Sequence, residues 1–61
     1  MGKMKVAYVE IYRDKSGEWR WHAKAKNHKI VSESGEGYEN RVYARQVVYD
    51  LFPGVDVIFL P

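Results

Sequence analysis

Residues 9–26 read Val9-Glu10-Ile11-Tyr12-Arg13-Asp14-Lys15-Ser16-Gly17-Glu18-Trp19-Arg20-Trp21-His22-Ala23-Lys24-Ala25-Lys26, and this stretch decides the fold. Residues 5–13 alternate and are rich in Val, Ile and Tyr, which predicts a strand. Asp14-Lys15-Ser16-Gly17 follows, with Gly17 suited to the left-handed position that closes a three-residue hairpin loop. Residues 18–26 then alternate strictly, with Trp19, Trp21, Ala23 and Ala25 against Arg20, His22, Lys24 and Lys26. A one-residue slip would send every side chain to the wrong face, so the apolar pattern sets the register. With Asp14 opposite Glu18, Ile11 faces Trp21, Val9 faces Ala23 and Ala7 faces Ala25. All the apolar alternates then share one side. Trp19 and Trp21 read as core, because two indoles offer the largest burial open to so small a chain.

Working outward, Asn27-His28 predicts a two-residue turn and residues 29–34 a third, shorter strand. That turn sets Ala25 opposite Ile30 and Ala23 opposite Ser32. Ser34-Gly35-Glu36-Gly37-Tyr38-Glu39 is a loop, and Asn40 is a suitable N-cap. From Arg41 to Phe52, the residues Ala44, Val47, Val48 and Leu51 recur at helical spacing. Pro53-Gly54 stops the helix, and Val55 to Leu60 predicts a last strand. The expected architecture is α+β in the order β-β-β-α-β: a three-stranded antiparallel sheet, one helix packed on one face, and a short C-terminal strand.

Composition bounds the rest. The chain has 61 residues, no cysteine, 10 Lys+Arg against 8 Asp+Glu, 46% hydrophobic residues and 15% aromatic residues. That length fits one domain, residues 1–61, without disulfides or a zinc ribbon. A core this small rarely supplies more than about 3–5 kcal/mol, which invites oligomerisation. A net charge of +2 does not by itself announce a nucleic-acid partner. Met1-Gly2-Lys3-Met4-Lys5 is basic, but the apolar run after it meets Glu10 too soon for a signal peptide. Gly2 lacks the Ser or Thr that myristoylation wants where Val6 stands. No apolar stretch nears the roughly 20 residues that span a bilayer, so the expected setting is cytoplasmic, with no membrane contact.

Two features exceed the needs of a monomer. The helix also carries Val42, Tyr43, Tyr49 and Phe52, wider apolar cover than one small sheet can use. The segment Val55-Asp56-Val57-Ile58-Phe59-Leu60-Pro61 is apolar on both alternating faces apart from Asp56, and such strands are normally buried on both sides. The expected use is a homodimer, with a candidate interface of Tyr43, Tyr49, Phe52, Val57, Ile58, Phe59 and Leu60. The alternative pairs the last strand within its own sheet and tucks Phe59 under the helix.

The run Val9 to His22, its continuation Ala23-Lys24-Ala25-Lys26-Asn27, then Lys29-Ile30-Val31 and Ser34-Gly35-Glu36-Gly37-Tyr38 resemble the YegP-like domains of unknown function, over about residues 8 to 57. The resemblance implies three antiparallel strands and a helix. It also implies pairing of two units, since the family occurs as single copies or tandem pairs, and it carries over no catalytic role. Two departures stand out: His28 where the family usually has Gly, and the more apolar ending Val57-Ile58-Phe59-Leu60.

Candidate chemistry is sparse. The register lines up Glu10, His22 and Glu33 across the outer sheet face, where two carboxylates beside an imidazole favour its charged form. A metal could in principle use that row, but a cross-strand salt-bridge row is the simpler reading, and no metal, cofactor or small-molecule ligand is expected. Ser16, Ser32 and Ser34 lack a His-acid pairing, and none sits in a Gly-x-Ser-x-Gly context, so no catalytic residue is expected. Gly35-Glu36-Gly37 lacks the third glycine and the Gly-Lys-Ser/Thr ending of a phosphate loop. The more serious alternative is a nucleic-acid-binding module whose outer face presents Tyr8, Tyr12, Arg20, Lys24 and Lys26, rings for stacking and cations for phosphate. Sheet-inserting DNA-binding domains of plants and integrases are similar in architecture only. Glu10 and Glu33 on the same face weigh against it. The leading reading is a small non-catalytic association module acting as a homodimer.

Overall fold

Alternation in the first half of the chain becomes three antiparallel strands: β1 (Tyr8–Arg13), β2 (Trp19–Lys24) and β3 (Ile30–Glu33). The computed structural model describes residues 5–61; the reading of Met1 to Met4 lies outside them. After β3 come α1 (Arg41–Leu51) and β4 (Asp56–Phe59), giving one four-stranded sheet in the order β3-β2-β1-β4. The β1–β2 register is the expected one: Ile11 opposes Trp21 and Val9 opposes Ala23.

The Asp14 turn fixes that register chemically. Asp14 Oδ1 accepts from the Ser16 and Glu18 backbone N–H groups and from the Ser16 hydroxyl at 2.7–2.9 Å. Gly17 takes φ +90°, a conformation that glycine adopts without steric cost.

The second turn departs from expectation. The Ala25 carbonyl accepts from His28 N–H at 2.9 Å, and the Lys29 carbonyl from Ala25 N–H at 3.0 Å. The loop is therefore three residues, Lys26-Asn27-His28, rather than two. His28 holds φ +69°, the left-handed position where glycine is easiest, and its Nδ1 bonds the Tyr8 hydroxyl at 2.7 Å. The longer loop puts Ile30 opposite Lys24 instead of Ala25, and a bulge then restores Ser32 opposite Ala23. Val31 is the inserted residue. Such a slip exchanges faces: Ile30 is 51% exposed and Val31 packs on the core.

The helix starts as its sequence dictates. The Asn40 side chain accepts from the Val42 and Tyr43 N–H groups at 2.8 and 3.2 Å, and Asn40→Ala should cost about 1 kcal/mol in a denaturant melt. The helix buries Ala44 and Val48 against Val9, Ile11, Trp21 and Ala23. Leu51, expected on this face, is exposed; Phe52, at the C-cap, turns in instead and meets the Trp21 ring edge-to-face at 5.4 Å.

The sequence reading sends residues 55–60 into a partner subunit, but the chain uses this strand itself. β4 lies parallel to β1, with Val9 beside Val57 and Ile11 beside Phe59. Val57 and Phe59 pack on the core, and the Arg41 guanidinium lies 4.4 Å from the Phe59 ring centre. The second apolar face of β4, Ile58 and then Leu60, falls on the outer side of the sheet.

Candidate functional site

The outer sheet face is built by the polar alternates of β1 and β2. Register brings Glu10 beside His22, Tyr8 beside Lys24 and Tyr12 beside Arg20, with Glu33 across from His22 on β3. Glu10 Oε1 collects two partners, His22 Nε2 at 2.6 Å and Lys24 Nζ at 3.1 Å. The Tyr12 and His22 rings stack at 4.9 Å. Arg20 reaches sideways, its Nε 2.6 Å from Asp14 Oδ2. Lys26 stands exposed in the turn.

Four of the five residues of the aromatic-basic reading thus share this face, but their chemistry is already engaged. Arg20 and Lys24 are paired with carboxylates, the Tyr8 hydroxyl with His28, and the Tyr12 ring with His22. Glu33 is exposed and joins no ion pair among the described residues, where no cluster of three metal-ligating side chains occurs. Ser16 donates to Asp14, and Ser34 Oγ accepts from Trp21 N–H. None of these serines is set against a His-acid pair.

Two of these carboxylates, Asp14 and Glu10, titrate low. The Arg20 bond, then those from Ser16 and Glu18, hold the Asp14 carboxyl well below the usual carboxylate range. The His22 hydrogen bond, joined by Lys24 and opposed by burial, lowers Glu10. Folded carboxyls then bind fewer protons than unfolded ones near their ordinary values of about 4, so stability rises with pH through that range. The stabilisation is complete above about pH 5 and is lost progressively on acidification. Thermal melts between about pH 5 and 2 should show a falling midpoint, and Asp14→Asn should flatten that limb.

The candidate interface residues divide among three places. Tyr43 and Tyr49 lie on the solvent side of α1, Tyr43 also meeting Tyr38 edge-to-face at 5.3 Å. Phe52, Val57 and Phe59 lie between helix and sheet, serving this chain's own core. Ile58 and Leu60 fall on the opposite, outer sheet side. One flat interface cannot hold all seven.

Sequence reasoning missed a second constellation, at the start of α1. Arg41 and Arg45 are one helical turn apart, and with Val42 they line a cleft of about 160 Å³ against Phe59. The i, i+4 spacing of two arginines was the available signal, but only the placement of β4 gives it meaning.

The sheet with one helix on its inner face, the twin three-residue hairpins and the Gly37-Tyr38 loop define a class of small α+β domain whose activity is not established. The chain belongs to the family described as Domain of unknown function (DUF1508), whose model matches residues 14–48. UPF0339 protein NMB1088 of Neisseria meningitidis serogroup B is 46% identical over 41 residues, 67% of this chain and 71% of that protein. UPF0339 protein NMA1193/NMA1859 of a serogroup A strain matches to the same extent. The solution structure of a protein from Haloferax volcanii superposes with a TM-score of 0.69 at 33% identity, covering 90% of this chain and 97% of that one. Among the described residues, no helix is long and apolar enough to cross a membrane.

Proposed function

We propose that the chain is a non-catalytic association module that works as a homodimer through the solvent face of α1. The observation that carries this reading is the exposure of large apolar side chains on one short helix: Val42 62%, Tyr43 58% and Tyr49 46%. Val42 and Tyr49, seven residues apart, share one stripe of the helix with Tyr43 to one side. Exposed apolar residues grouped on one element mark interaction surfaces, and tyrosines are among the residues enriched at them. Among the described residues the buried core is six side chains, two of them alanine, so burying a second apolar layer adds stability to a small core. A second copy is the simplest occupant, since a two-fold contact needs one self-complementary patch. The outer sheet face has less to recommend it as a nucleic-acid surface, because Asp14 and Glu10 already neutralise Arg20 and Lys24.

Sedimentation velocity at micromolar concentration tests the reading. Wild-type chain should sediment as a dimer of the 7.2 kDa unit, and Tyr43→Glu with Tyr49→Glu should give a folded monomer with unchanged circular dichroism. A wild-type monomer at that concentration would end the homodimer reading. Oligonucleotide binding that weakens with salt and with Arg20→Ala plus Lys24→Ala would favour the outer face instead.

A further inference from the structure

Two edges bound the sheet, and they are unequally defended. β3 carries a bulge and has Lys29 and Glu33 about it, devices that discourage strand addition. β4 is regular and carries one charge, Asp56. Its inner edge pairs with β1, and Leu60 N–H bonds the Ile11 carbonyl at 2.9 Å. Backbone direction alternates along a strand, so Ile58 also faces β1 while the N–H and C=O groups of Val57 and Phe59 point outward. Being the last strand in the order β3-β2-β1-β4, β4 offers those groups to no strand among the described residues.

Between this edge strand and the start of α1 lies the cleft of Arg41, Val42, Arg45 and Phe59. Arg41 is held between rings, 4.4 Å from the Phe59 centre and 6.0 Å from that of Trp19; Arg45 lies 5.7 Å from Tyr49. Neither arginine has a carboxylate within 4.0 Å among the described residues, where the ion pairs are those of Asp14 and Glu10. The first turn of α1 has no acidic residue and its last turn no basic one, so Arg41 stands where the helix dipole disfavours a cation. Two preset guanidinium forks beside an open strand edge are complementary to carboxylates on an added strand.

We propose that the β4 edge binds an extended acidic peptide segment as a fifth strand, with Asp or Glu side chains of that segment seated on Arg41 and Arg45. Alternate residues of the added strand point toward the helix, which brings them over the cleft. A second copy of this chain is the wrong occupant for this edge: pairing β4 with its symmetry mate would bring two more guanidiniums to the same place. A phosphodiester chain offers no strand ladder to Val57 and Phe59.

The test is fluorescence anisotropy with a labelled octapeptide, Glu-Val-Glu-Thr-Glu-Val-Glu-Thr, against its Lys-for-Glu counterpart and a single-stranded oligonucleotide. The acidic peptide should bind best. Its affinity should fall at least about tenfold, or 1.4 kcal/mol, in Arg41→Ala with Arg45→Ala, a change that leaves the helix well formed because alanine is its best former. The Val57 and Phe59 amide resonances should shift on titration. A chemically synthesised chain N-methylated at Val57 loses the outward N–H without touching the β1–β4 ladder, and it should bind more weakly. Equal binding of the acidic and basic peptides, preference for the oligonucleotide, no binding at millimolar peptide, or undiminished binding by either altered chain would overturn the proposal.

Discussion

Trp21→Ala should unfold the chain at room temperature. The indole is 5% exposed, lies opposite Ile11 in the β1–β2 ladder and meets Phe52 edge-to-face at 5.4 Å. Truncating a buried aromatic costs about 3–5 kcal/mol through lost transfer energy and the cavity left behind. A lone core of this size supplies about the same amount in total, so nothing remains to hold the native state. The cavity has no easy way to collapse, because Ile11 and Ala23 are fixed by the ladder and Phe52 by the C-cap. Trp21→Phe is the informative partner variant. It keeps a ring against Phe52 and removes an indole N–H that is buried without an acceptor among the described residues. Circular dichroism should show Trp21→Ala unstructured and Trp21→Phe folded. A cooperatively melting Trp21→Ala chain would contradict this account of the core.

The second large effect is expected at Gly37. A Cβ built there would fall on Glu18 Oε1 and lie 2.7 Å from Glu18 Cβ. The carboxylate can swing away, but Glu18 Cβ cannot, because it is rooted in the backbone just before β2. The loop cannot yield either. Trp19 and Tyr38 exchange two backbone hydrogen bonds, at 2.7 and 2.8 Å, and these clamp residue 37 against residue 18. Overpacking with no room to relax costs about 1–3 kcal/mol, and Gly37→Val adds two methyl groups to the clash. Gly35→Ala, two residues earlier, meets nothing within 4 Å and should be close to neutral. Urea titrations of the two should give clearly different midpoints. Coincident midpoints would mean that the loop moves more freely than this contact allows.

The legible part of the fold was whatever local chemistry decides. Asp14 and Gly17 specify the first hairpin, and strict alternation then places Ile11 on Trp21 with no further information. Asn40 marks the helix start because its side chain caps the next turn. The second hairpin was misread because its geometry depends on a histidine in a left-handed conformation. That choice is held by Tyr8, twenty residues away, and no local pattern announces it. The resulting slip is why Val31 packs on the core and Ile30 does not. Helix periodicity equally pointed to Leu51, but the turn at Pro53-Gly54 redirects the last residue inward, and Phe52 covers Trp21 instead.

The candidate site divides in the same way. Glu10 beside His22 follows from register alone, whereas the Lys24 contact to Glu10 and the Arg20 contact to Asp14 depend on how far those side chains reach. The two-sided apolarity of residues 55–60 was visible, but not its use. Parallel pairing with β1 joins segments some 48 residues apart, and one apolar face then goes to this chain's own core. That placement also turns Arg41 and Arg45 from two unremarkable helix cations into the wall of a cleft.

The most exposed large apolar side chain among the described residues, Val42 at 62%, lies on α1 with Tyr43 and Tyr49, and the association claim rests there. An isotope-filtered nuclear Overhauser experiment on equal parts of labelled and unlabelled chain tests it most directly. We expect intermolecular cross-peaks between the Val42 methyls and the rings of Tyr43 and Tyr49, from a particle of twice the 7.2 kDa chain mass. A spectrum without any intermolecular cross-peak at α1, or with them only from the outer sheet face, would contradict it.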